Sequence, residues 1–197
     1  MGTGRLEAFS DGVIAIIITI MVLELKVPKG AGLADLKPLI SVMISYILSF
    51  INIAIYWNNH HHMIGASKSV NGKVLWANIF LLFWLSLIPF VTAWMGENDF
   101  KTWPVAVYGM ILFMCGMGYY FLSQALLGLH GKNSTIYKAI GNDKKGKISI
   151  LLYAIGVGLS FVNPWIGFSI YGIVAAIWFL PDPRIEDKLV KENEADK

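Results

Sequence analysis

Charged residues are scarce in this chain: 15% of its 197 residues are Asp, Glu, Lys or Arg, whereas 56% are hydrophobic. A soluble domain usually carries about 25% charged residues. Long apolar stretches alternate with short polar loops, which is typical of a polytopic membrane protein rather than of a large soluble core. The net charge of +3 is small, so the composition indicates no nucleic-acid partner.

Several sequence motifs of catalysis and of ion selection are also missing. There is no Gly-rich phosphate loop, no Ser–His–Asp spacing and no pair of catalytic carboxylates. The carbonyl-lined filter sequence TVGYG is absent too. Cys115 is the single cysteine, which excludes an intramolecular disulfide. We therefore expect neither an enzyme nor a cofactor.

Six apolar segments are candidates for membrane-spanning helices, because a span needs about 20 apolar residues. They cover residues 5–26, 36–62, 73–96, 103–129, 147–163 and 165–181. The last two are short and meet at Pro164, which removes a backbone donor and predicts a tight hairpin. Pro89 predicts a kink in the third. The expected fold is all-α, with a six-helix membrane domain over residues 1–181 and a charged cytoplasmic tail over 182–197.

The distribution of positive residues predicts the orientation in the membrane. One side holds Arg5, Lys68, Lys73, Lys132, Lys138, Lys144, Lys145 and Lys147. The other side holds Lys26, Lys29, Lys37 and Lys101. Positive loops stay in the cytoplasm. We therefore expect a multi-pass protein of the cell membrane with both termini cytoplasmic.

One face of the first helix forms a narrow stripe. At about 100° per residue, Gly12, Ile16, Thr19 and Leu23 fall within about 60° of one another. Small, β-branched and hydroxyl side chains are common at helix contacts, and an intramembrane Thr often bonds its own backbone. From this geometry alone, helix packing is the favoured explanation of the stripe.

Asp11 adds a second argument, because an acidic residue near the bilayer centre costs roughly 2.5–3.5 kcal/mol on insertion scales. Such a residue normally faces the protein interior or water and needs partners. Ser10 is a weak partner. The better candidates at the same depth are Arg5, His60, His61 and Asn78. A polar network at the inner end of the first helix is therefore expected.

The run of three histidines, His60 to His62, raises the question of a metal site. Neighbouring residues of a helix point about 100° apart, so the three side chains cannot all bind one ion. No carboxylate or cysteine lies at ligand spacing. A structural and pH-sensitive role is favoured over a metal site.

The start of the first helix carries the pattern R-x-x-x-F-S-D at Arg5, Phe9, Ser10 and Asp11. This pattern resembles the signature of the transmembrane protein 175 family, the lysosomal and endosomal potassium channels of animals and their bacterial and archaeal relatives. Further similarity lies in the second and third helices, at Trp57, His60, His61, Asn78, Pro89, Phe90 and Thr92. The resemblance covers about residues 5–181.

The resemblance implies a fold and a function. This chain has one six-helix repeat, like the prokaryotic members, which form homotetramers with the first helix lining a central pore. Ile16 would be the hydrophobic constriction, with Thr19 and Leu23 in the next layers outward. The implied function is a potassium-permeable cation channel in the lipid bilayer, with Asp11 and its neighbours anchoring the pore-lining helix.

Two other functions remain open at this point. Animal members of the family also pass protons, so a proton-permeable channel is one alternative. A proton-coupled secondary transporter using Asp11 and the histidines is the other. Broken helices near the midplane would favour a transporter, but the first helix contains no Pro or Gly pair that breaks it there.

Overall fold

The computed structural model describes residues 2–131, 134, 136–137, 141 and 143–179, and all its regular elements are helical. The helices are α1 (Gly4–Leu23), α2 (Ile40–Gly65), α3 (Gly72–Ser86), α4 (Ile88–Glu97), α5 (Thr102–His130), α6 (Lys144–Ser160) and α7 (Pro164–Phe179). A 3₁₀ segment, Leu33–Leu39, leads into α2. The predicted tail over 182–197 lies outside the described residues, as do Lys132 and Lys138.

The six predicted spans are confirmed as helices in the expected order. Four segments are long and apolar enough to cross a membrane: Gly4–Leu23, Leu33–Gly65, Gly72–Glu97 and Thr102–His130. The other two, α6 and α7, are 17 and 16 residues long and pack against each other and against α5. We call the side that holds the start of α1 the N-terminal side and the other the opposite side.

The third span consists of two helices, α3 and α4, with a break at Leu87. Pro89 is the second residue of α4, where a missing N–H costs nothing because the first turn of a helix has no backbone acceptor for it. Its ring would clash with the carbonyl four residues earlier in a continuous helix. The expected kink is thus present, and it falls on the N-terminal side of the proline.

Helix α5 occupies the middle of the bundle and touches α3, α4, α6 and α7. Two of its glycines allow this close packing. A Cβ at Gly118 would lie 2.9 Å from the Cα of Leu81 on α3, and one at Gly109 would overlap the phenol of Tyr171 on α7. Small residues let transmembrane helices approach in this way.

The predicted hairpin between the last two helices is confirmed. Helix α6 ends at Ser160 and α7 begins at Pro164. Asn163 Oδ1 accepts a hydrogen bond from the backbone N–H of Trp165 at 2.9 Å. Because Pro164 is the first helical residue, its lack of an N–H leaves no donor unpaired.

Two polar contacts hold the linker before α2 and the start of α2 to the end of α4. Lys26 Nζ forms an ion pair with Glu97, and this hydrogen bond raises the pKa of the Lys26 ammonium. Ser41 Oγ donates to Asp99 Oδ1 at 2.7 Å. Both contacts lie on the opposite side, so they fix the linker over the α4–α5 turn.

Candidate pore helix and its anchor

Helix α1 has one buried face and one exposed face in the single chain. It packs on α2, α3 and α4. The buried positions are Leu6, Ser10, Ile14, Ile17 and Met21. They recur every three or four residues, as the contact face of a helix does. With 20 residues, α1 is about 30 Å long, enough for the hydrocarbon core of a bilayer.

The stripe identified in the sequence lies on the exposed face. Gly12, Ile16, Thr19 and Leu23 are all exposed. Ile16 is 60% exposed and Leu23 is 76% exposed, whereas Ile17 is 3% exposed. Packing within the chain therefore does not explain the stripe, because the helix contacts lie on the other face.

Thr19 hydrogen-bonds its own helix. Its Oγ1 donates to the carbonyl of Ala15 at 2.8 Å, four residues earlier. This is the usual way in which a threonine satisfies its hydroxyl in an apolar environment. Since the proton points back along the helix, the lone pairs of the oxygen stay available on the exposed face.

A buried chain of hydrogen bonds joins α1 to α2 and α3 on the N-terminal side. Asn78 Nδ2 donates to Ser10 Oγ at 2.9 Å, and Ser10 Oγ donates to the Leu6 carbonyl at 2.8 Å. Asn78 Oδ1 lies 2.8 Å from His60 Nε2. All three side chains are fully buried. Within the described structure His60 Nδ1 has no hydrogen-bond partner, which favours the tautomer with the proton on Nε2.

The contacts of Asp11 differ from those expected. Its Oδ1 accepts from the indole N–H of Trp57 at 3.0 Å, and none of the partners named from the sequence bonds to it in the described structure. His61 Nδ1 lies 2.9 Å from Glu7 Oε1 instead. Sequence reasoning missed Trp57 and Glu7 as partners. Their positions held a signal, because Trp57 and His61 are four residues apart on α2 and both face α1.

The remaining residues of the signature stay outside these contacts. Arg5 is exposed, and among the described residues it makes no hydrogen bond or ion pair. Phe9 is 57% exposed, next to the stripe. The structure thus brings together Ser10, Asn78 and His60, and leaves Arg5 and Phe9 on the surface of the single chain.

Two of the three adjacent histidines point to different helices. His60 is directed at α3, and His61 is directed at α1. Over the described ranges, no group of three or more His, Cys, Asp or Glu side chains is placed to hold a metal ion.

Comparisons with known proteins identify the same family as the R-x-x-x-F-S-D pattern at the start of α1. The family model described as "Endosomal/lysosomal potassium channel TMEM175" matches residues 5–89. A potassium channel of Chryseobacterium sp. (strain P1-3) is 52% identical over 193 residues, which cover 98% of this chain and 100% of the relative. The chain belongs to the TMEM175 family. This is a family of ion channels, which are membrane proteins and not an enzyme class.

Two more distant relatives extend the match along the chain. A potassium channel of Streptomyces collinus is 27% identical, over 88% of this chain and 89% of the relative. The crystal structure of a lysosomal potassium-selective channel TMEM175 homolog from Chamaesiphon minutus superposes with a TM-score of 0.75 at 27% identity. It covers 90% of this chain and 96% of the other. The similarity therefore includes the helices beyond residue 89.

Proposed function

We propose that four copies of this chain form a potassium-permeable channel whose pore is lined by α1. The observation that carries the proposal is the division of α1 into a buried face and an exposed stripe of Gly12, Ile16, Thr19 and Leu23. Four such stripes facing one axis would cover the exposed face and enclose a path across the membrane. Membership of a potassium channel family supports the same function.

Ile16 forms the constriction of the proposed pore. It lies about one turn from both Gly12 and Thr19, near the middle of α1. Four isoleucine side chains around an axis offer no ligand to an ion or to water, so the narrow ring blocks conduction by dewetting. A small dilation is then enough to let water and ions enter.

Selectivity in such a pore comes from the cost of removing water. Potassium gives up its water more easily than sodium, so an apolar ring favours potassium without a carbonyl filter. The Thr19 oxygen, whose proton is bonded to Ala15, presents lone pairs to a cation that has passed the Ile16 ring. Leu23 forms the last layer before the linker.

The hydrogen bonds on the N-terminal side hold α1 in the rotation that the pore requires. Turning α1 by one residue, about 100°, would pull Ser10 away from Asn78 and Asp11 away from Trp57. A buried polar group that loses its partner costs about 1–3 kcal/mol. These hydrogen bonds, which we call the anchor, therefore keep Ile16, and not Ile17, facing the pore axis.

We place the channel in the cell membrane with the N-terminal side in the cytoplasm. Among the described residues, that side carries Arg5, Lys68, Lys73, Lys144, Lys145 and Lys147. The opposite side carries four lysines, and Lys26 among them is paired with Glu97. The positive-inside rule favours this orientation.

The experiment that tests the function is single-channel recording of the purified chain in a planar bilayer. A channel gives discrete openings in symmetric potassium, and the reversal potential under a potassium–sodium gradient shifts toward that of potassium. The Ile17→Asn variant serves as a matched control for Ile16→Asn. Slow, saturable flux without discrete openings would identify a carrier and overturn the channel mechanism.

A further inference from the structure

A cleft lies on the opposite side of the bundle, where α4 ends and where α5 and α7 begin. Its volume is about 580 Å³. Three indoles, from Trp94, Trp103 and Trp165, form its walls, and Asp99 and Lys101 lie among its lining residues. Because spanning helices begin and end here, the cleft lies at the depth of the lipid headgroups.

The backbone at this cleft is strained. Asp99 and Phe100 have φ angles of +48° and +57°, a region that residues other than glycine rarely adopt. Phe100 is held in place between Trp165 and Phe168, with ring centroids 4.8 and 4.7 Å away. The hydrogen bond from Ser41 holds Asp99. The strain is thus maintained by contacts on both sides.

This turn presents two opposite charges next to an aromatic wall. Phe100 is buried, whereas its neighbours Asp99 and Lys101 are exposed. Ser41 occupies one carboxylate oxygen of Asp99, which leaves the other open to a ligand. Trp94 stacks on Phe90, Trp103 packs edge-on against Phe161 at 5.1 Å and Trp165 packs on Phe100, so each of the three indoles contacts a neighbouring aromatic ring.

We propose that this cleft binds the headgroup of a zwitterionic phospholipid with a free ammonium, such as phosphatidylethanolamine. The ammonium binds to Asp99 and to the faces of the indoles, which attract cations. The phosphate binds to Lys101. The proposal does not depend on conduction through α1.

The charge pair decides which lipid class the cleft favours. An anionic headgroup without an ammonium gains the contact with Lys101 but is repelled by Asp99. A zwitterionic headgroup gains both contacts. We therefore expect phosphatidylethanolamine to bind more tightly than phosphatidylglycerol of the same acyl chains.

Native mass spectrometry of the detergent-solubilised full chain, titrated with dioleoyl phosphatidylethanolamine or dioleoyl phosphatidylglycerol, tests this inference. Asp99→Asn weakens binding of phosphatidylethanolamine by up to about fivefold, the range of an exposed ion pair, and does not weaken phosphatidylglycerol. Asn tolerates a positive φ and still accepts the hydrogen bond from Ser41. Lys101→Gln weakens binding of both lipids.

The matched control is Lys29→Gln, which removes the same charge from an exposed linker residue outside the cleft. Equal binding of the two lipids to the wild-type chain would overturn the inference. So would unchanged phosphatidylethanolamine binding in Asp99→Asn. If that variant does not fold, Lys101→Gln is the deciding variant. A loss of lipid binding in Lys101→Gln that is no larger than the loss in Lys29→Gln contradicts a site in the cleft.

Discussion

At the residue scale, two adjacent isoleucines of α1 have opposite environments. Ile16 is 60% exposed in the single chain and Ile17 is 3% exposed. Composition does not distinguish them, and only the rotation of α1 on α2, α3 and α4 does. The separate roles that we propose for them, in conduction and in folding, depend on this rotation, which makes them a matched pair for mutation.

Ile16→Asn is expected to raise the basal conductance. Amide groups hydrate the ring and lower the dewetting barrier, and each ~1.4 kcal/mol removed from a barrier raises the rate of passage about tenfold. Potassium preference falls as well, because amide oxygens replace the water of sodium better than isoleucine does. Single-channel recording measures both quantities.

Ile17→Asn and Ile14→Asn are the controls. They place an amide in the contact between α1 and its neighbouring helices, so they reduce the yield of folded protein and leave the conductance of the surviving channels little changed. An open pore in Ile17→Asn together with a silent Ile16→Asn would show that α1 is rotated differently and that the pore assignment is wrong.

Asn78→Ala is expected to destabilise the fold by breaking the buried hydrogen bonds that join Ser10, Asn78 and His60. It removes the amide that joins Ser10 to His60. The buried His60 is left unpaired, at about 1–3 kcal/mol, whereas Ser10 keeps its bond to the Leu6 carbonyl. Thermal unfolding, monitored through the loss of the monodisperse peak, measures this loss of stability. The control is Asn58→Ala, at an exposed α2 position with no hydrogen bond of its own in the described structure. Equal melting temperatures for both variants would contradict the claim that the hydrogen bonds of Asn78 stabilise the fold.

At the scale of the helices, sequence periodicity and proline positions predicted most of what the structure contains. The six spans, the hairpin at Pro164 and the kink near Pro89 follow from local rules, because backbone donors and apolar length decide them. The side-chain partners did not follow. Asp11 bonds Trp57 and not a histidine because the relative rotation of α1 and α2 is set by the packing of many apolar residues, which no single motif records.

Gly118→Ala tests the close contact between α3 and α5. The added Cβ meets backbone at Leu81 at 2.9 Å, so one helix has to move. We expect a loss of about 1–3 kcal/mol, typical of overpacking. Thermal melting of the purified chain in detergent measures this loss.

Gly128→Ala is the control on the same helix. Its Cβ meets nothing within 4 Å, and alanine is the better helix former by about 1 kcal/mol. The melting temperature should therefore stay the same or rise. A Gly118→Ala variant as stable as Gly128→Ala would show that α3 and α5 are not in tight contact.

At the scale of the whole molecule, the six spans in the described part of the chain bring the start of α1 and the end of α7 to the same side. The ends of α2 and α5 and the starts of α3 and α6 lie there too, and among the described residues this side carries six positive side chains against four on the opposite side. The linker over residues 24–39 and the α4–α5 turn lie on the opposite side. The orientation proposed above therefore predicts which loops reach the cell exterior.

Cysteine labelling in intact cells tests that orientation. Cys115, the single native cysteine, is fully buried, so the wild-type chain gives a silent background. With a membrane-impermeant maleimide, Lys29→Cys in the exposed linker is labelled in intact cells. Gly2→Cys, at an exposed position before α1, is labelled only after the cells are permeabilised. The reverse pattern would invert the channel in the membrane and place Leu23, rather than Gly12, at the cytoplasmic end of the pore.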